Sequence, residues 1–256
     1  MDIEYQTIIR FFSQGIWPMA RISGLMLTVP VFSSDIVPAR VKIFFILALT
    51  ITCAPFVPEQ LSFEHFSGVY IVYIVQELFL GLLMGFVLQL VFQIFVLGGQ
   101  IISMQAGLGF AVMVDPSSKA SVPLISQFYL MMVSLMFLAL NGHIAILDTL
   151  IESFSWLPIG QVTIKESILW SVINFSGWMF KEAVLISIPA LLSLLIVSLS
   201  FGIMTRVAPQ LNIFSLGFPL TLLMGILIIQ VGLPTVGAEI SNCIEQGIFF
   251  IKGMLH

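Results

Sequence analysis

The sequence predicts an all-α, multi-helix protein of the membrane type, built from long hairpins. Three observations carry that prediction. Apolar residues make up 59% of the chain and charged residues 9%, against about 25% charged in an ordinary soluble domain. Mean hydropathy is +1.12. Charge-free runs outlast a bilayer: Leu78 to Val114 is 37 residues without Asp, Glu, Lys or Arg, whereas a spanning helix needs about 20. Between the apolar runs, proline and polar residues collect as they do at turns.

The apolar runs fall near 11–34, 43–57, 69–104, 120–147, 168–180, 183–204 and 211–237. Asp2 and Glu4 precede the first base, Arg10, so the basic start of a signal peptide is absent and the first segment is expected to stay in the mature chain. The run 43–57 is short for a span. The run 69–104 is too long for one: as a helix it would extend about 54 Å against about 30 Å of hydrocarbon. It must tilt, break or continue into protein outside the bilayer. The run 168–180 is too short to cross alone, and Lys181-Glu182 reads as a wet helix end. A weaker amphipathic tail covers 239–256. Hydropathy thus predicts about six spans. In that six-span arrangement Arg40, Lys42, Lys119 and Arg206 share one side, and Arg10, Lys165, Lys181 and Lys252 the other. The balance leaves orientation nearly open, with the Arg206 side weakly cytoplasmic.

Several function classes are excluded at this level. A net charge of −4 leaves no basic footprint for nucleic acid. Cys53 and Cys243 stand far apart in apolar surroundings, so they read as small buried hydrophobes rather than as a metal site or disulfide. No metal or other cofactor is expected. Phosphate-cradling glycine loops, HExxH and nucleophile elbows are absent from the sequence, and His65, His143 and His256 are scattered. An enzyme is therefore not expected.

Two ionisable residues stand inside apolar runs, Arg21 and Glu77. Such residues are functional hypotheses by default. A proton relay is possible for Glu77, but a hydrogen-bonded packing residue at a subunit contact is the plainer expectation. For Arg21, buried pairing precedes any ion pathway. Gly81 and Gly85 form a GxxxG pair that permits close backbone approach.

Segment 98–123 is the best mechanistic clue. Asp115-Pro116 is a helix-start signal, a capping carboxylate followed by proline at the first helical position. Gly107 and Gly109 supply the preceding stop. The stretch between carries Leu108, Phe110, Ala111, Val112, Met113 and Val114. An apolar loop cannot lie bare in lipid, because its backbone groups would find no partners. In water it would expose a hydrophobic patch. It belongs within an assembly or along a cavity, where a flexible methionine and a bulky phenylalanine suit a hydrophobic constriction.

A second landmark is the polar island Thr205–Asn212. From Ala183 to Ala238 the one charged side chain is Arg206. Pro209 forces a turn there, and Gln210 and Asn212 can bond the exposed backbone. The pattern is a helical hairpin with one fixed polar turn.

With these residues in view, the chain resembles the flagellar biosynthetic protein FliR family, which is related to the export-apparatus T subunit of injectisomes. The most specific match is GIMTRVAPQLNIFSLGFPLTL at 202–222. Arg21-Ile22-Ser23-Gly24 with Pro30, Gln105-Ala106-Gly107 and Asp115-Pro116 support it. The uninterrupted RVAPQLN and the following GFPL are similar to the flagellar branch. The resemblance implies a single-copy subunit of the flagellar type III export gate in the bacterial inner membrane and basal body, protruding to the periplasmic side. It implies FliP and FliQ subunits as partners in one complex, FlhB near the cytoplasmic entrance, and unfolded flagellar proteins as cargo. It implies a FliP-like part over about 1–180 and a FliQ-like hairpin and tail over about 181–256, packed in a helical stack. The plug then maps to Gly107–Val114 and the docking turn to Arg206, Pro209, Gln210 and Asn212. The competing expectation is a secondary transporter of a small solute, with Glu77 and Arg21 as intramembrane ionisable groups.

Overall fold

The computed structural model describes residues 2–33, 37–56, 68–108, 123–160, 166–207 and 217–255. Among the described residues the chain is all-helical. Helices α1 (Asp2–Thr28), α2 (Pro30–Ser33) and α3 (Ala39–Cys53) are followed by a 3-10 turn at Ala54–Phe56. Then come α4 (Val69–Gln105), α5 (Leu124–Ala139), α6 (Gly142–Trp156), α7 (Glu166–Val207) and α8 (Phe218–Leu255).

Proline sets several of the starts. Pro38 and Pro123 precede α3 and α5 in extended conformation, where a missing N–H removes no helical bond. Helix interiors tolerate proline too: Pro18, Pro189 and Pro234 lie inside α1, α7 and α8. Beside Pro189, the Ser193 hydroxyl donates to the Pro189 carbonyl at 2.8 Å, one of the ways apolar helices keep backbone acceptors occupied.

The run 69–104 does not break. It forms one unbroken helix of 37 residues, about 56 Å long at 1.5 Å per residue. The runs 168–180 and 183–204 are a single helix of 42 residues. Lys181-Glu182, expected at a helix end, sits within it. The Lys181 side chain is 68% exposed and lies 3.9 Å from Glu182, so the charge stays on the helix surface and interrupts nothing. The run 211–237 and the amphipathic tail likewise join in α8. The run 120–147 does the opposite. It divides into α5 and α6, bent by 65° at the break. Asn141 there takes a left-handed conformation, φ 57°, open to asparagine with little strain. The polar stretch beginning at Asp148, expected as a connection, is helical to Trp156. Its buried residues Gly142, Ile146, Thr149, Leu150 and Ser153 recur at helical spacing.

The span count is lower than hydropathy suggested. Among the described residues three helices, α4, α7 and α8, are long and apolar enough to cross a membrane, or up to four if the bent pair α5–α6 is one span. The prediction of about six is corrected, and the six-span tally of loop charges no longer applies, because Lys181 is not in a loop. The runs that drop out are 43–57, whose helix α3 has 15 residues against about 20 for a span, and 11–34, whose helix α1 carries Arg21 in its apolar stretch.

The chain divides into two compact units. Unit 1 comprises 1–90, 141–176 and 244–256; unit 2 comprises 91–140 and 177–243. In unit 1, α1 crosses the first part of α4 at glycine. A Cβ on Gly24 would strike the Leu78 carbonyl, and one on Gly81 the Arg21 carbonyl. One turn further, Gly85 faces Thr28. Trp17, 2% exposed, packs beside Tyr70 and Tyr73. Phe175 stacks on Phe250, and Lys252 pairs with Glu152 at 2.8 Å. In unit 2, Gly99 lies against the α5 backbone at Ser126, and Phe92 meets the edge of Phe137 with ring centroids 5.5 Å apart. Cys53 and Cys243 are free and buried, as small hydrophobes are.

Candidate functional site: a buried ion-pair node and the end of helix α4

Arg21 and Glu77, 56 residues apart in sequence, meet in the interior of unit 1. Arg21 is 0% exposed and Glu77 1%. Arg21 Nε donates to Glu77 Oε2 at 2.7 Å. Its Nη1 donates to Ser153 Oγ at 2.8 Å, and its Nη2 to the Leu157 carbonyl at 3.0 Å. The guanidinium carbon stands 4.0 Å from the centroid of the Phe154 ring, within the range of a cation–π contact. The fork geometry of arginine lets one side chain serve all these partners at once, which an ammonium could not do in the same plane.

Three elements supply the node because their local structure aims them at it. Arg21 precedes Gly24 by one turn of α1, and Glu77 precedes Gly81 by one turn of α4. The charged pair therefore sits on the faces that the glycines bring together. Ser153, Phe154 and Leu157 come from the last turn and C-terminal boundary of α6. Leu157 donates its own N–H to the Ser153 carbonyl at 2.9 Å, and its carbonyl is an end group that needs a donor. Arg21 provides that donor, and its positive charge suits a helix C-terminus.

Glu77 is hydrogen-bonded to Arg21 of its own chain. The sequence missed Ser153, Phe154 and Leu157. The helical spacing of buried positions in 142–154 was the available signal for the element, and nothing local marks its contact with Arg21.

The second candidate region begins at the end of α4. Gly107 has φ 85°, where glycine carries no side-chain penalty. Its N–H donates to the Met104 carbonyl at 3.1 Å, and the Leu108 N–H to the Ser103 carbonyl at 3.0 Å. These two bonds form the Schellman closure of a helix. Gly107 therefore serves as the stop that its position suggested. Gly109, Phe110, Ala111, Val112, Met113, Val114, Asp115 and Pro116 lie outside the described residues. Arg206 occupies the exposed last turn of α7, the favourable end for a cation; Pro209, Gln210 and Asn212 are likewise outside the described residues. The structure brings Arg21 and Glu77 together. Among the described residues, no group of three His, Cys, Asp or Glu side chains is arranged to hold a metal ion.

Comparison with known proteins is consistent across the chain. Residues 12–247 match the family described as bacterial export proteins, family 1. The flagellar biosynthetic protein FliR of Escherichia coli strain K12 is 33% identical over 220 residues, covering 86% of this chain and 84% of that one. FliR of Buchnera aphidicola subsp. Baizongia pistaciae is 33% identical over 233 residues, covering 91% and 90%. FliR of Bacillus subtilis strain 168 is 28% identical over 252 residues, covering 97% of each. A match of this extent, on a helical chain with membrane-length apolar helices, places the protein: it belongs to the FliR family of bacterial flagellar export proteins.

Proposed function

We propose that this chain is a structural and gating subunit of the flagellar type III protein export gate. It forms part of the channel through which unfolded flagellar subunits pass, and the flagellum does not assemble without it. The observation that carries this reading is the contrast among the long helices. The apolar window of α4 is 67% buried within the chain, whereas those of α7 and α8 are 17% and 11% buried. At 42 and 38 residues, α7 and α8 extend about 63 and 57 Å, roughly twice the hydrocarbon thickness. Helices so long and so little covered by their own chain fit a place among other helices, in a stack that leaves the membrane plane. That suits an inner-membrane subunit of the basal body protruding to the periplasmic side.

In this reading about 1–180 forms a FliP-like part and about 181–256 a FliQ-like hairpin, with FliP and FliQ as neighbours and FlhB near the entrance. The closing element is the apolar stretch Gly107–Val114, delivered by the sealed end of α4. Arg206, Pro209, Gln210 and Asn212 make the docking turn. A solute transporter fits less well, since the two buried ionisable groups it would rely on are hydrogen-bonded to each other.

The test has two parts. Tagged chain, purified in mild detergent from cells making the whole export apparatus, is expected to bring unlike membrane proteins with it in unequal ratio; a lone monomer or symmetric dimer would contradict the proposal. Deletion of 108–114 is expected to make the membrane leak ions when the complex assembles. Unchanged conductance in a correctly assembled deletion would remove the gating role and leave the structural one.

A further inference from the structure

We infer that Arg21 and Glu77 form a register lock that holds α1, α4 and α6 together independently of any partner subunit, and that their charges do not carry protons. The inference rests on the direction of the hydrogen bonds. Arg21 donates to Glu77, to Ser153 Oγ and to the Leu157 carbonyl. Ser153 in turn donates its own hydroxyl proton to the Leu150 carbonyl at 2.6 Å. That bond fixes the serine rotor, so its lone pairs face Arg21. Among the described residues, the bonds that Arg21 and Ser153 donate beyond the pair itself end on the Leu157 and Leu150 carbonyls. A proton relay needs successive groups that can both take up and release a proton. The guanidinium cannot release one at accessible pH, and carbonyls cannot pass one on.

The placement also explains the register. A turn from Arg21 lies Gly24 and a turn from Glu77 lies Gly81, where the two backbones touch. Sliding α1 along α4 by one turn, about 5.4 Å, would part a bond of 2.7 Å and set the glycines against side chains. Rotating α1 by one residue would swing Arg21 away from both neighbours. The glycine contact and the ion pair thus select the same crossing. Stranding either charge in this interior is costly, while replacing both with apolar side chains of similar size removes the penalty. The same partners are met within unit 1, so the lock needs nothing from outside the chain.

The test compares Arg21→Met, Glu77→Met and the double substitution in the full-length chain, expressed with its complete export apparatus. Membrane-accumulated chain, yield of assembled complex and swimming are measured together. Each single substitution is expected to lower accumulation and complex yield about tenfold, because it leaves one buried charge unpaired. The double substitution is expected to recover to within about threefold of native, and swimming per assembled complex to equal native. Three results overturn the inference. A native-like Glu77→Met chain would mean that the pair locks nothing. A double variant as poor as the product of the singles would mean that the residues act separately. A double variant that assembles but does not export would mean that the charges themselves serve transport. Accumulation is read without reference to export, so failure of the lock and failure of the export-gate reading give different outcomes.

Discussion

The crossing of α1 over α4 yields a sharp prediction with an internal control. In Gly81→Ala the added carbon would strike the Arg21 carbonyl and stand 2.9 Å from Leu25 N. Ordinary contact begins at 3.4 Å, so the Leu25 contact alone asks the helices to part by about 0.5 Å and the closer Arg21 carbonyl asks for more, and they meet through backbone that cannot rotate aside. Overpacking of this kind costs about 1–3 kcal/mol. The gain in helix propensity from glycine to alanine returns about 0.5–1 kcal/mol. The net loss is up to about 2.5 kcal/mol, or a fall in Tm of up to about 10 °C for a chain of this size. Gly177, within α7, has nothing within 4 Å of the same position. Gly177→Ala therefore keeps the propensity gain of about 0.5–1 kcal/mol and raises Tm by about 1–4 °C. Thermal unfolding of the purified chain in mild detergent, followed by tryptophan fluorescence, reads both. A Gly81→Ala chain that melts at or above native, beside a Gly177→Ala chain that gains, refutes the backbone-contact argument. The same helix chemistry would then have produced the same sign at both sites.

Other predictions follow from single features. Asn141→Gly is expected to leave stability nearly unchanged, while Asn141→Val lowers it by about 1–2 kcal/mol, because φ 57° suits glycine and opposes a β-branched residue; thermal unfolding of both variants checks the pair. Lys252→Ala should cost less than about 0.5 kcal/mol, since the Lys252 and Glu152 side chains are 41% and 46% exposed and solvent screens such pairs; a loss above about 2 kcal/mol in the same melt would show that the C-terminal end of α8 depends on that bridge. Arg206→Ala combined with Asn212→Ala should reduce swimming several-fold through lower complex yield. Normal motility with normal yield would make the turn a solvated connection and nothing more.

Much of the helical architecture could be read from residue order. Composition and the charge-free runs gave the class, Gly107 marked the end of α4, and Gly81 with Gly85 pointed to a close crossing. Arg21 was recognisable as a residue that must be paired. Its partner was not, because Glu77, Ser153 and Leu157 reach it through tertiary packing, and no spacing rule links positions so far apart. The divided run 120–147 is a different kind of miss. Asn141-Gly142 is a turn dipeptide, and it stood in plain view inside an apolar stretch. Lys181-Glu182 misled in the other direction: two charges suggested an end, yet a long helix carries them on its flank.

The closure at Gly107 has a further consequence. The carbonyls of Ile102, Ser103 and Met104 all have backbone donors, from Ala106, Leu108 and Gly107 in turn. The end of α4 is thereby insulated. These three carbonyls are satisfied by residues no further along than Leu108, so a disturbance downstream need not unwind the helix behind them. A deletion or substitution downstream can be expected to leave amide exchange in the final turn of α4 unchanged, while Gly107→Val, which disfavours the left-handed corner, would let that turn fray.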